Sequence, residues 1–266
     1  MSAVAARFSL KGRKALITGG SMSIGRAIAL GFAEAGADIA VHYSSGADAE
    51  RKLDGAAAET LDAIARHGVK GHTIDADLAL IGAGHRVVEG AIAALGRIDI
   101  LVIGASIQYR GPFESTSSQQ IAEQFAINFR ATVELLQAAL PPMRERGWGR
   151  VLTIGSVNQV RPEPKLAVYA ALKSAQQNLC LNLSRQYVAH GVLLNNLAPG
   201  LVATERNRWR RQDTVDWARI QARASPSQRA GTPEEMVGAA LLLCSDAGSY
   251  IAGADLMITG AGHLPR

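Results

Sequence analysis

The sequence predicts an α/β fold, in which one doubly wound domain has a seven-stranded parallel sheet with helices on both faces. Short β-branched or aliphatic segments alternate with longer helical segments from end to end, which is the pattern of a parallel sheet. The 266 residues are 48% hydrophobic, so one large core can form without disulfides or metal ions. No repeat or linker divides the chain, and we therefore expect residues 1–266 to form a single domain.

The predicted elements follow each other in a regular order. Strands are predicted at residues 14–18, 38–43, 70–74, 98–103, 149–155, 192–197 and 254–258. Helices are predicted at 24–35, 48–67, 82–94, 117–145, 168–190 and 233–245. Apolar residues recur at spacings of three and four along 24–35, and Gly36 marks the end of that helix. Residues 200–226 have no helical pattern, and a loop of this length is usually a lid or a binding loop.

Composition limits the classes of protein. Cys180 and Cys244 lie in apolar helical segments, not in a metal or redox spacing, which fits a reduced, cytoplasmic chain. Residues 1–11 have no apolar segment long enough for a signal peptide, and no run approaches the roughly 20 residues of a membrane span. The six histidines show no metal-ligand spacing. We expect no metal site and no membrane partner, and we interpret the histidines as surface or strand-edge residues.

The net charge of +5 is concentrated in one part of the chain. Residues 205–229 hold seven arginines against three acidic residues, in and just after the predicted lid. Basic residues near Trp209 could neutralise nucleic-acid phosphates while the ring stacks on a base. The cluster is short and no nucleic-acid motif accompanies it. We therefore favour an anionic cofactor or substrate, and expect no nucleic-acid partner.

A glycine-rich turn follows the first predicted strand and opens directly into a helix. It reads Thr18-Gly19-Gly20-Ser21-Met22-Ser23-Ile24-Gly25. Backbone N–H groups at such a turn, together with the positive end of the helix dipole, form a site for a pyrophosphate. Gly19 and Gly25 lack the side chains that would keep the phosphates and the sheet apart. A tight connection that binds nothing has the same pattern, so the turn alone leaves both interpretations open.

Three residues in the second half of the chain suggest proton-transfer chemistry. Tyr169 and Lys173 are four residues apart on a predicted helix, which puts both on one face. A nearby ammonium favours the phenolate form of a tyrosine, so Tyr169 could exchange a proton with an alcohol or carbonyl oxygen. Ser156 follows a strand at the sheet edge where ligands bind in open α/β folds, and its hydroxyl can orient a substrate oxygen.

Together these residues resemble the short-chain dehydrogenase/reductase family. The resemblance extends from Lys11 to His263, with the motifs in the family's order. They are the glycine-rich turn, Asp77-Leu78, Asp99-Ile100-Leu101-Val102, Asn128, Ser156, the Tyr169/Lys173 pair, and Asn195 through Pro199-Gly200 to Thr204. The resemblance implies a single NAD(P)-binding Rossmann domain. It also implies hydride transfer between a nicotinamide cofactor and a carbonyl or secondary alcohol.

The family's functional residues can be assigned one by one. The resemblance implies that Tyr169 is the general acid/base, and that Lys173 favours its phenolate and holds the nicotinamide ribose. It implies that Ser156 polarises the reacting oxygen and that Asn128 anchors a water relay to Lys173. Asp77 and Leu78 match the adenine contacts. The other expected cofactor contacts are Gly19, Ser21, Met22, Ser23, Ile24, Gly25, Gly104, Ala105, Pro199, Gly200, Val202 and Thr204.

Two segments depart from the family pattern. Ser23 replaces the middle glycine of the turn, and its β-carbon narrows the room beside the phosphates, although its hydroxyl can donate to them. Ile103-Gly104-Ala105-Ser106 replaces the family's Asn-Asn-Ala-Gly, so the side-chain amides that brace the central strand are missing. Gly104 and Ala105 still leave space for adenosine, and we expect cofactor binding to survive. A catalytically silent, cofactor-binding regulatory protein is the alternative.

The end of the second strand bears on the choice of cofactor. An acidic side chain there would bond the ribose 2′-hydroxyl of NAD. The sequence reads His42-Tyr43-Ser44-Ser45, with no carboxylate at the expected position. Ser44 and Ser45 can donate to a 2′-phosphate, and we expect Tyr43 to contact the same end of the cofactor. The sequence thus favours NADP, with NAD as the alternative.

Polar and cationic residues are expected around the substrate. The candidate contacts are Gln108, Arg110, Asn158, Arg161, Arg206 and Trp209. This set favours a small hydroxylated or anionic substrate, such as a sugar, polyol, sugar acid or carrier-linked 3-oxoacyl group, over a bulky apolar ketone. The same side chains would also suit a solvated rim. The resemblance implies a homotetramer or homodimer formed through helices 117–145 and 168–190, whose apolar faces could instead belong to the core.

Overall fold

The computed structural model describes residues 2–265 and contains one sheet of seven parallel strands. The strands are β1 (Lys14–Thr18), β2 (Asp38–Tyr43), β3 (Gly71–Asp75), β4 (Ile100–Ile103), β5 (Gly149–Ile154), β6 (Val192–Pro199) and β7 (Asp255–Ile258). Their order is β3-β2-β1-β4-β5-β6-β7, and every neighbouring pair is parallel. The predicted fold class is confirmed. The order reverses between β1 and β4, where doubly wound folds bind their ligands.

Helices connect the strands along the described part of the chain. They are α1 (Ala3–Arg7), α2 (Ser23–Glu34), α3 (Ser45–Glu50), α4 (Ala56–Ala65), α5 (Ala83–Leu95), α6 (Ser118–Phe125), α7 (Ala131–Glu145), α8 (Ala167–Tyr187), α9 (Thr214–Ala224) and α10 (Val237–Cys244). A π-helical turn, Ala126–Arg130, joins α6 to α7. Residues 2–265 contain no helix that is both long and apolar enough to cross a bilayer.

Two predicted boundaries are wrong. The helix predicted at 48–67 is divided into α3 and α4, because Lys52 and Gly55 adopt φ angles of 57° and 88° that a right-handed helix cannot contain. Residues 200–226 are not an unstructured loop, since they contain a 3₁₀ segment, Glu205–Arg211, and then α9. Asp213 begins α9 by accepting two backbone N–H bonds in its first turn.

Each face of the sheet has its own core, because successive side chains of a strand point to opposite faces. Ile17 of β1 packs with Phe32 of α2 on one face, whereas the preceding Leu16 packs with Leu135 of α7 on the other. Cys180 belongs to the second core and Cys244 to the first, and both are free thiols. Burial raises the pKa of each thiol to about 12.

The interpretation of His42 as a surface or strand-edge residue is wrong. β2 lies between β1 and β3, and His42 is 3% exposed. Its Nδ1 accepts the backbone N–H of Gly19 at 3.3 Å, and its Nε2 lies 3.0 Å from the carbonyl oxygen of Ala76. Only the neutral ring, protonated at Nε2, serves both partners. Burial lowers the pKa of His42 to about 4.

We predict that His42 makes the protein less stable in mild acid. In the unfolded chain His42 takes up a proton near its ordinary pKa of about 6.5, whereas the folded protein takes it up at about 4. The stability that the buried neutral ring contributes is therefore complete above pH 6.5 and is lost as the pH falls towards 4. Between pH 7.5 and pH 5.0, wild type should lose about 2 kcal/mol more stability in urea denaturation than His42→Gln, which cannot titrate. Equal losses would contradict the prediction.

Candidate active site

The carboxyl ends of the central strands open into one cleft of about 820 Å³, a volume typical of cofactor and substrate sites. The predicted cofactor and catalytic residues that line it are Gly19, Ser21, Met22, Ser23, Ile24, Gly25, Tyr43, Ser44, Asp77, Leu78, Gly104, Ala105, Ser156, Tyr169, Pro199, Gly200, Val202 and Thr204. The predicted substrate contacts that line it are Gln108, Arg110, Asn158, Arg161 and Arg206. The fold thus gathers segments that are far apart in sequence.

Four predicted residues lie outside the cleft wall. Asn128 and Lys173 are buried behind it. Ser45 begins α3, where its backbone N–H donates to Asp75 Oδ1 at 2.9 Å. Trp209 is 64% exposed and differs from expectation. Its ring centroid lies 5.9 Å from the Arg210 guanidinium carbon.

Tyr169 and Ser156 face the same cleft from two neighbouring elements. Tyr169 lies in the first turn of α8 and is 5% exposed, and Ser156 follows β5 and is 8% exposed. The Ser156 hydroxyl oxygen accepts the N–H of Asn158 at 3.2 Å, while the Ser156 N–H donates to Gln159 Oε1 at 3.3 Å. These contacts fix the position of the serine and leave its hydroxyl hydrogen available as a donor.

Lys173 is fully buried one turn along α8 from Tyr169. Its Nζ lies 5.9 Å from the centre of the Tyr169 ring. The ammonium donates to the carbonyl of Ile154 at 2.6 Å and to Gln176 Oε1 at 3.0 Å. Burial, and to a smaller extent the Arg206 cation, lower the pKa of Lys173 to about 7. A charged group at this position therefore depends on the hydrogen bonds that surround it.

Asn128 connects the π-helical turn to the segment after β4. Its Oδ1 accepts the N–H of Ile107 at 2.9 Å, and its Nδ2 donates to the Ile107 carbonyl at 2.8 Å. The backbone carbonyl of Asn128 accepts the Thr132 hydroxyl at 3.2 Å. Asn128 thus has a defined position beside the cleft, with its backbone carbonyl facing α7.

Comparisons with known proteins agree on one family. A family model described as enoyl-(acyl carrier protein) reductase matches residues 19–262. The chain is 35% identical over 260 residues to gluconate 5-dehydrogenase from Gluconobacter oxydans, covering 95% of each protein. It is 32% identical over 251 residues to L-rhamnose 1-dehydrogenase (NADP(+)) from Thermoplasma acidophilum, covering 94% of this chain and 96% of the relative. The chain belongs to the short-chain dehydrogenase/reductase family.

A solved structure extends this agreement to the whole fold. The crystal structure of a 3-oxoacyl (acyl-carrier-protein) reductase from Agrobacterium tumefaciens C58, with NADP bound, superposes with a TM-score of 0.91. Sequence identity is 42%, and the match covers 98% of this chain and 97% of the other. The chain is therefore an NAD(P)-dependent oxidoreductase. The comparisons support the enzyme over the two alternatives, a silent regulatory protein and a nucleic-acid-binding protein.

The glycine-rich turn and the segment after β4 are closely packed. A β-carbon on Gly25 would lie 2.0 Å from the Gly19 carbonyl oxygen, and one on Gly104 would lie 2.8 Å from that of Thr18. The Thr18 hydroxyl accepts the N–H groups of Gly104 and Ala105 at 3.1 and 3.3 Å and donates to the Val102 carbonyl at 3.4 Å. Thr18 thus braces β1 against β4, where the family pattern has asparagine amides.

Ser23 occupies a backbone conformation that favours glycine. Its φ is 50°, in the left-handed region. Its hydroxyl oxygen accepts the N–H of Glu205 at 3.1 Å, so the turn is bonded to the 3₁₀ segment of the lid. The residue that departs from the family pattern therefore carries backbone strain and gains a contact that glycine cannot make.

Several cleft residues were not among the predicted contacts, and two of them lie near the expected cofactor. Arg51 and Asp48 line the cleft beyond β2, inside the segment predicted as one helix. Asp48 is 6% exposed, and burial raises the pKa of its carboxyl although the Ser21 hydroxyl bonds to it. Arg51 is exposed, and its guanidinium donates to the Ala47 carbonyl at 2.5 Å. The sequence signal that could have identified Arg51 is a basic residue soon after the end of β2.

We predict that Ser23→Gly and Ser23→Ala differ in stability by about 1 kcal/mol, with glycine the more stable. Alanine keeps the left-handed strain, worth about 1–2 kcal/mol, and loses the bond to Glu205, worth about 1 kcal/mol. Glycine loses the same bond but removes the strain, although its freer unfolded chain reduces the gain. Urea denaturation of both variants and wild type measures the difference. An alanine variant as stable as the glycine variant would contradict the proposed strain.

Proposed function

We propose that the protein interconverts a secondary alcohol and a carbonyl on a sugar acid or a related hydroxylated anion, using NADP(H), with Tyr169 as general acid/base. The observation that best supports this proposal is that Tyr169 and Ser156 line the same cleft as a set of arginines. Those arginines are Arg51, Arg110, Arg161, Arg206, Arg210 and Arg223. Proton-transfer residues beside concentrated positive charge suit a substrate that has both a hydroxyl and an anionic group.

In this proposal the protein supplies proton transfer and orientation. When bound, the nicotinamide cofactor supplies or accepts the hydride. Tyr169 removes the proton of the reacting alcohol or returns it to the carbonyl, and the nearby Lys173 ammonium favours the phenolate. Ser156 has its hydroxyl oxygen occupied by the Asn158 N–H, so its own hydrogen can donate to the reacting oxygen. The buried position of both groups strengthens each of these interactions.

Arg210 is the best candidate to bind the substrate anion. Arg206 donates to Ser106 at 2.7 and 2.8 Å, and Arg110 pairs with Glu163 at 3.1 Å. Arg210 forms no ion pair within residues 2–265. Burial, and then the neighbouring Arg110 cation, lower the pKa of Arg210, while Asp216 and Glu163 oppose this shift in part. A substrate carboxylate would relieve this repulsion, and a gluconate 5-dehydrogenase is among the relatives.

The cleft fits a phosphorylated dinucleotide. Ser21, Met22, Ser23 and Ile24 line it at the N-terminal end of α2, where backbone N–H groups and the helix dipole favour phosphate oxygens. Arg51 and Ser44 line it beyond β2, and Arg51 is the cation there that can meet a 2′-phosphate. The related reductase from Agrobacterium tumefaciens holds NADP. These observations support NADP as the preferred cofactor.

A substrate panel matched for charge tests the proposal. D-Gluconate should have a KM at least about tenfold lower than the neutral D-glucitol, because a charge-assisted hydrogen bond is worth about 1.5–3 kcal/mol. A 3-oxoacyl thioester belongs in the same panel. NADPH should be preferred to NADH when sugar acids are formed, and Arg51→Ala should reduce that preference about tenfold. Activity confined to neutral or bulky apolar substrates, or a strong preference for NADH, would overturn the assignment.

Matched variants separate catalysis from binding. Tyr169→Phe should lower kcat about 10²- to 10⁴-fold while NADPH still binds. Arg210→Gln should raise the KM for gluconate about 10- to 100-fold and leave that for glucitol within about twofold. Arg208→Gln is the control, because Arg208 is an exposed lid arginine paired with Glu205 and does not line the cleft. Equal effects of the two arginine variants would contradict the assignment of Arg210.

We also infer a cytoplasmic homodimer or homotetramer that pairs through α6, α7 and α8. Ile121 and Phe125 on α6 are 43% and 48% exposed, and Phe125 contacts the Phe129 ring at 5.8 Å between centroids. An exposed apolar stripe of this kind favours burial against another copy. Free Cys180 and Cys244 fit a reducing compartment. Light scattering should give a molar mass of two or four chains of 28.0 kDa, and the mass of a single chain would contradict this.

A further inference from the structure

Gln176 is buried beside Lys173, and the proposed chemistry gives it no role. It lies one turn after Lys173 on α8 and is 1% exposed. Its Oε1 accepts one N–H of the Lys173 ammonium at 3.0 Å, and the Ile154 carbonyl accepts another at 2.6 Å. An ammonium has three N–H donors, so these two protein acceptors leave one for the cleft side.

The orientation of the Gln176 amide is determined by its partners. Lysine only donates, so the atom that faces Lys173 must be the amide oxygen. The amide nitrogen then donates to the Thr132 hydroxyl at 2.9 Å, and that hydroxyl donates to the backbone carbonyl of Asn128 at 3.2 Å. A continuous set of buried hydrogen bonds therefore joins Lys173 to the π-helical turn, and reversing the amide would break two of them.

Within residues 2–265, the groups that face Lys173 include no acid. Its own helix provides the Tyr169 ring, and β5 provides the Ile154 carbonyl. The lid provides Arg206, which is a second cation. Thr132 of α7 is connected to Lys173 through the neutral Gln176. Burial, and then Arg206, lower the pKa of Lys173 to about 7. Near neutral pH the neutral acceptors thus decide how much of the lysine stays charged.

We propose that Gln176 is a positioning residue that keeps Lys173 charged and holds its ammonium against the Ile154 carbonyl. The inference rests on the proposed function, in which the charged lysine favours the Tyr169 phenolate. Without the amide, the ammonium loses one of its two protein acceptors and the neutral amine gains population. The phenolate then forms only at higher pH, and alcohol oxidation requires more alkaline conditions.

Lysine NMR tests the proposal without any substrate. The chain has only six lysines, so ¹³Cε-lysine labelling with a Lys173→Arg reference identifies the Lys173 signal. Gln176→Leu should lower the midpoint of its titration by about one pH unit, because a hydrogen bond to a charged group is worth about 1.5–3 kcal/mol. Gln176→Glu should raise it, since a carboxylate would face the ammonium. Gln177→Leu is the matched control, because the Gln177 amide donates to Asp255 at 3.2 Å instead.

The pH dependence of catalysis gives a second readout. For alcohol oxidation, the acidic limb of the kcat profile should move to higher pH in Gln176→Leu and stay in place in Gln177→Leu. A Lys173 midpoint that is the same in wild type, Gln176→Leu and Gln176→Glu would overturn the proposal. If the leucine variant does not fold, the isosteric glutamate variant decides alone, and a midpoint that does not rise would overturn it. Failure of the proposed function would be seen separately, as a wild-type protein that is inactive on sugar acids, because the lysine titration is measured without substrate.

Discussion

The Lys173 ammonium is buried without a carboxylate partner, and the architecture around the cleft follows from this constraint. Removing an unpaired charge from water costs several kcal/mol unless polar groups replace its hydration. Here two elements supply hydrogen-bond acceptors to the ammonium: β5 the Ile154 carbonyl and α8 the Gln176 amide oxygen. A third element, α7, supplies Thr132, which orients the Gln176 amide. A change in the packing of any of these elements would therefore act on the charge state of the lysine.

Short polar side chains have a similar role at the cofactor end of the cleft. Thr18 braces β1 against β4, His42 joins the glycine-rich turn to the loop after β3, and Ser23 bonds the turn to the lid. Each of these groups satisfies backbone N–H or carbonyl groups that would otherwise be buried without a partner. Local hydrogen bonds of Thr18 and Ser23 therefore stand where the family pattern has asparagine amides and a glycine.

Most of the fold could be predicted from sequence because hydrophobic periodicity is a local property. The lid helix α9 was missed, because polar and charged residues interrupt its apolar positions and none of its residues is buried in a core. The burial of His42 depends on Ala76, which is 34 residues away, and the partner of Ser23 is 182 residues away. Contacts of this kind follow only from the assembled sheet. The family motifs identified the residues of the cleft wall, whereas Gln176 and Arg51 belong to no motif and were found only from their positions.

The distribution of positive charge separates the two ends of the cleft. Met22 and Ser23 leave the glycine-rich turn without a cation, so the phosphates there would rely on backbone N–H groups and the dipole of α2. The arginines instead cluster where the lid meets the segments after β4 and β5, and Arg210 is crowded by Arg110. Neutral N–H donors serve any nicotinamide dinucleotide, whereas crowded cations gain only from a ligand that brings negative charge to that end. In the proposed function, the arginines of the lid end would therefore act on the choice of substrate, whereas Arg51 would act on the choice of cofactor.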